Sequence, residues 1–85
     1  MYLHLGNDVS VEMNSIIGIF DLDNSSQSHI TRKFLAEAQR SGQIVNVGED
    51  LPKSFVICEK YGYSRVYLSQ LNTSTLLGRS NLPFL

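Results

Sequence analysis

The chain has 85 residues, 42% of them apolar and 18% charged, with a formal net charge of −1. That balance excludes a disordered chain, no apolar run approaches the ~20 residues of a membrane-spanning helix, and the net charge argues neither for nor against nucleic acid. A single domain of this size, spanning 1–85, buries only about 60% of its unfolded surface, so its core is thin and self-association is a natural source of further stability.

The charges are unevenly placed. Residues 1–31 carry Asp8, Glu12, Asp21 and Asp23 and no Lys or Arg. All the basic residues (Arg32, Lys33, Arg40, Lys53, Lys60, Arg65 and Arg79) lie in 32–85, alongside four acidic ones. An acidic front and a mildly basic back permit a basic patch. The start, MYLHLGNDV, has neither a basic region nor a small-residue cleavage site, and the single cysteine makes no internal disulfide. Both features lead to the expectation of a cytoplasmic protein.

Leu3 and Leu5 alternate with Tyr2 and His4, and Gly6-Asn7-Asp8 then supplies turn chemistry, because Gly and Asn tolerate positive φ at little cost. Val9, Val11 and Met13 alternate with Ser10, Glu12 and Asn14, so the first fourteen residues read as an antiparallel hairpin with one wet face. After a turn at Asn14-Ser15, IIGIF (16–20) is apolar on both faces, as a central strand is. Gly18 inside it marks a bulge or a close backbone approach.

Residues 21–28, DLDNSSQS, are polar and rich in helix-capping types. From His29 the period changes: Ile30, Phe34, Leu35 and Ala38 fall within an arc of about 140°, with His29, Lys33, Glu37 and Arg40 opposite. Ser28 as N-cap and Gly42 as C′ residue predict a helix over about 29–41. QIVNV (43–47), SFVIC (54–58) and RVYLS (65–69) follow as strands. A Pro-containing turn, GEDLP, precedes the second, and the hairpin KYGYSR leads into the third. Asn72 is placed to cap a short helical turn over TSTLLGR (73–79), and NLPFL forms a tail. This order predicts an α+β domain, a mainly antiparallel sheet of about six strands with one central helix and a short C-terminal helical turn.

Catalytic chemistry is not spelled out. His4 and His29 are far apart in the chain, no Cys pair exists, and no metal-ligand spacing is formed. Cys58 lies in an apolar strand, where a thiol behaves as a small hydrophobe with a raised pKa. Glu49 and Asp50 are neighbours in a turn and point apart, and no Gly-rich phosphate loop is present. What remains is binding chemistry: the helix cations Arg32, Lys33 and Arg40, the interleaved tyrosines and cations of KYGYSR, and Lys53 at the mouth of SFVIC.

The start M-x-x-H-L-G, the strand IIGIFDL, the entry PKSFVI and the ending VYLSQLNTSTLLGR occur in an order and spacing that cover nearly the whole chain. Together they resemble the RemB-type bacterial extracellular matrix regulatory proteins, relatives of the DNA-binding matrix regulator RemA. The resemblance implies a non-enzymatic, cytoplasmic regulator of biofilm-matrix genes with a LytTR-like fold and no cofactor, membrane contact or small-molecule substrate. It also implies a homo-oligomer, a ring in the RemA branch.

In that branch DNA contact is attributed to arginines in two turns, one before the strand matching IIGIF and one before the strand matching SFVIC. Here the first position falls at about Ser15, and the second turn reads Gly48-Glu49-Asp50 with only Lys53 nearby. Without arginine the bidentate phosphate or guanine contacts are lost, and Glu49 and Asp50 would repel a DNA backbone. KYGYSR is also longer than the RemB pattern, and Gln70 stands where that pattern has proline. If DNA is bound, phosphate neutralisation falls to Lys53, Arg79, Arg65, Lys60, Arg32 and Lys33. The alternative is a protein-interaction module that co-assembles with a RemA-type partner, a reading favoured by the acidic turn.

Overall fold

A computed structural model of the protein describes residues 1–22 and 29–80. In chain order the elements are β1 (Tyr2–Gly6), β2 (Val9–Glu12), β3 (Ile16–Asp21), α1 (His29–Arg40), β4 (Ile44–Asn46), β5 (Ser54–Lys60), β6 (Tyr63–Ser69) and α2 (Thr73–Ser80). A 3-10 turn, Met13–Ser15, joins β2 to β3. The Ser28 cap and the NLPFL tail lie outside the described residues.

The α+β class holds, but the single six-stranded sheet does not form. β1 and β2 pair only with each other, and a separate four-stranded sheet runs in the order β3-β5-β6-β4. It is mixed, because β4 runs parallel to β6 while β3, β5 and β6 are antiparallel neighbours. The physical reason lies in β5. SFVIC is apolar on both faces, and a strand of that kind needs cover on both sides. One side receives α1, with Ala38 and Leu35 over Phe55, Ile57, Val66 and Leu68. The other side receives the β1–β2 hairpin and α2, with Leu3, Leu5, Val11 and Leu76 over Ile19, Val56 and Cys58. The hairpin therefore lies across the sheet and does not extend its edge.

The C-terminal helical turn is a helix of 8 residues, and its Leu76 is fully buried. Asn72 caps it: the Thr75 N–H donates to Asn72 Oδ1 at 2.9 Å. α1 ends as its sequence predicts, with Gly42 at φ +71°. There the Gly42 N–H donates to the Gln39 carbonyl (3.1 Å) and the Gln43 N–H to the Ala38 carbonyl (2.9 Å), the paired bonds of a Schellman stop. The apolar arc of α1 is only half used. Ala38 is buried, whereas Ile30 and Phe34 are 78% and 40% exposed. Only the C-terminal half of the helix lies over the sheet.

Gly18 marks a register shift in β3, as its position suggested, but what approaches it closely is a side chain and not another backbone. The β3–β5 register shifts between Ile16 and Gly18, and a Cβ on Gly18 would come within 2.6 Å of the Phe20 ring. That ring stacks on Phe55 with centroids 5.0 Å apart. The layers are also tied by polar contacts: Asn7 Nδ2 donates to the Val47 carbonyl (2.8 Å), and Ser69 Oγ to the Leu5 carbonyl (2.7 Å). Ser54 Oγ donates to the Leu71 carbonyl (2.7 Å), so the buried hydroxyls of Ser54 and Ser69 are both satisfied. Among the described residues no helix is long and apolar enough to cross a membrane.

Candidate nucleic-acid interface

The hairpin KYGYSR is a pair of long strands closed by a two-residue turn. Tyr61 and Gly62 adopt φ +54° and +81°, and β5 pairs with β6 out to Lys60 opposite Tyr63. Positive φ at both central residues gives the strand twist that a tight hairpin needs. With a side-chain period of two, Tyr63, Arg65 and Tyr67 share one face of β6. Lys60 and Cys58 stand opposite Tyr63 and Arg65 on the same face. Cys58 is buried in the core, and towards the hairpin tip the face opens into a cleft of about 360 Å³. Its walls are Lys60, Tyr61, Tyr63, Arg65 and Tyr67 from β5–β6, and Tyr2, Ser10 and Glu12 from β1–β2.

Lys60 forms an ion pair with Glu12 across this cleft, and its Nζ lies 5.3 Å from the Tyr61 ring centroid. The Glu12 carboxylate holds the Lys60 pKa above its ordinary value. Lys60 is solvent-exposed, so the pair adds little to stability and serves mainly to orient the side chain. The Arg65 guanidinium, also exposed, has no ion-pair or hydrogen-bond partner among the described residues.

The other proposed cations are scattered. Lys53 precedes β5 at the far end of the sheet, seven residues from Lys60, or roughly 23 Å at the usual strand rise. Its backbone stitches that end together, with N–H to the Ser69 carbonyl (2.8 Å) and its own carbonyl to the Leu22 N–H (3.0 Å). Arg32 and Lys33 lie exposed on α1, on the opposite side of the sheet from the β1–β2 hairpin. Arg79, in the last turn of α2, has Nη1 3.4 Å from both the carbonyl and Nδ1 of His4. The fold thus gathers Lys60 and Arg65 and leaves Lys53, Arg32, Lys33 and Arg79 apart.

The two turns that carry arginine in the RemA branch are built differently from each other. Ser15 is buried, and its Oγ donates to the Glu12 carbonyl at 2.7 Å, locking the 3-10 turn. Glu49 and Asp50 are exposed. With its carboxamide oxygen turned to the donors, Gln70 accepts the backbone N–H groups of Glu49 (2.9 Å) and Asp50 (2.5 Å). The glutamine that departs from the RemB pattern therefore shapes the acidic turn. Among the described residues no three His, Cys, Asp or Glu side chains gather as a metal site.

Sequence reasoning missed Tyr2, Glu12 and Tyr67 as members of the cleft. Tyr67 was legible from the Tyr63-Arg65-Tyr67 alternation. Tyr2 and Glu12 were not, because their place depends on where the hairpin lands.

A small α+β domain with charged and aromatic side chains gathered along an open cleft is equipped for binding. Residues 2–79 match the RemA-like family, described as extracellular matrix regulatory protein A-like, and the chain belongs to that family. It is similar to the extracellular matrix regulatory protein B of Bacillus subtilis (strain 168), at 34% identity over 84 residues that cover 99% of this chain and 95% of that protein.

Proposed function

We propose that this protein is a non-enzymatic, cytoplasmic regulator of extracellular-matrix gene expression that works as a homo-oligomer and contacts DNA through phosphates. The observation that carries this reading is its full-length similarity to extracellular matrix regulatory protein B. The scatter of the cations favours an assembly. A single copy offers only short basic patches, whereas repeated copies would set Lys53, Arg79, Arg65, Lys60, Arg32 and Lys33 along an extended track. Assembly is supported by β3, an edge strand with Ile17 55% exposed, and by the exposed Ile30 and Phe34 on α1. A LytTR-like arrangement and ring closure belong to the same reading.

The test is duplex binding, by fluorescence anisotropy, to promoter fragments of matrix genes over a salt series. The expected result is an affinity that falls linearly on logarithmic axes as salt rises. No change in anisotropy at low salt with micromolar protein would overturn DNA contact.

One observation favours a second reading, a module that co-assembles with a RemA-type protein and modulates it without touching DNA. The turn that is basic in the RemA branch here presents Glu49 and Asp50, both exposed, with their backbone N–H groups bound by Gln70. Affinity capture from the native host followed by mass spectrometry separates the two. Recovery of a RemA-type partner is expected on the second reading, and recovery of no protein partner would count against it.

A further inference from the structure

Every tyrosine of the chain (Tyr2, Tyr61, Tyr63 and Tyr67) lines the one cleft between β1–β2 and β5–β6. Only Tyr67 packs against the core, and Tyr2, Tyr61 and Tyr63 are 64%, 87% and 76% exposed. Aromatic surface clustered in the open, rimmed by charge, is a mark of a binding site more than of a folding requirement. The charges sharpen this. Glu12 already answers Lys60, so the excess positive charge in the cleft is that of Arg65, whose guanidinium has no partner among the described residues.

We infer that this cleft binds an unstacked nucleobase together with its phosphate, the exposed tyrosine rings stacking on the base and Arg65 holding the phosphate. Aromatic rings accept the faces of all bases, and a guanidinium fork matches phosphate oxygens. A volume of about 360 Å³ is at the small end of the range for small-ligand sites, about 300–1,000 Å³, and suits a single nucleotide unit. A duplex cannot use the rings, because its bases are already stacked on one another. This site shares Arg65 with the phosphate contacts proposed above and differs from them in requiring an unstacked base for the tyrosine rings. The nucleotide unit could come free in solution or from a single strand.

Because all four tyrosines line this cleft, their ring resonances in proton NMR, assigned apart from those of the phenylalanines and histidines, report it directly. The full chain is titrated with 5′-AMP, adenosine, a single-stranded deoxyoligonucleotide and the matching duplex. AMP is expected to shift the ring resonances and to bind about tenfold more tightly than adenosine, as a charge-assisted phosphate contact requires. Arg65→Gln should bring AMP down to the adenosine level. Tyr63→Ala should weaken both about tenfold, while Tyr63→Phe retains them. Both residues are exposed, so these variants retain the fold. An oligonucleotide that binds more tightly than AMP assigns the site to a strand, and equal affinity assigns it to a free nucleotide. The inference is overturned if neither AMP nor single strand shifts the rings at millimolar concentration. Shifts with duplex alone, or affinities that Arg65→Gln and Tyr63→Ala leave unchanged, would overturn it as well.

Discussion

Cys58 behaves as its apolar neighbours dictate. Burial pushes its thiol above the ordinary 9.0, while the Ser15 hydroxyl draws it part of the way back. The folded state therefore holds this proton more tightly than the unfolded chain does. Its contribution is complete below about pH 9 and is lost as pH rises through that value towards the folded pKa. Urea unfolding between neutral pH and about pH 10 should record that loss, and Cys58→Val should flatten it. Ser69 is the residue whose removal should cost most for its size. Ser69→Ala takes the donor from the Leu5 carbonyl and the acceptor from the Leu71 N–H. A loss of about 1–3 kcal/mol is expected from chemical denaturation. Neither role can be read from the sequence, where Ser69 is one polar residue at a strand end, whereas the buried thiol of Cys58 was legible from Phe55, Val56 and Ile57 beside it.

The elements themselves were largely legible, because capping and alternation act over a few residues. Gly42 shows how local such information is. Nothing lies within 4 Å of the place a Cβ would occupy, so Gly42→Ala is opposed only by the φ of +71°. A destabilisation of about 1 kcal/mol is expected in thermal or urea unfolding. Asn72→Ala should cost a similar amount, about 1 kcal/mol, by removing the cap of α2. The same local rules misjudged how far α1 is covered. Helical periodicity states which residues share a face, and Ile30, Phe34, Leu35 and Ala38 do share one. How much of that face meets the sheet depends on where the sheet ends.

At the scale of the whole molecule, the cations Lys53 and Lys60 stand at opposite ends of β5, with Arg32 and Lys33 on the far side of the sheet from the β1–β2 hairpin. If a track of phosphate contacts runs over an assembly, the acidic turn is its weakest point. Replacing Glu49 and Asp50 by arginine should raise duplex affinity and steepen its salt dependence, because each added phosphate contact releases further counterion. Anisotropy over the salt series measures both. An unchanged slope would separate this turn from the DNA-facing surface. Sedimentation of Phe34→Glu beside the native chain tests the role of the exposed α1 face, with a smaller species expected from the variant.

The sequence by itself determined the α+β class, the helix over His29–Arg40 with its glycine stop, the bulge at Gly18, the strands, and the family. Each of these rests on residues close in the chain or on the order of segments. Tertiary structure decided that the hairpin covers a face of the sheet and does not lengthen it, that β4 lies parallel to β6, and that Tyr2, from the other end of the chain, joins Tyr61, Tyr63 and Tyr67 in lining one cleft with Arg65. Those outcomes follow from β5, whose two apolar faces each need a covering layer. With α1 over one, the hairpin and α2 must take the other, and that placement carries Tyr2 and Glu12 to the side chains of the β5–β6 tip.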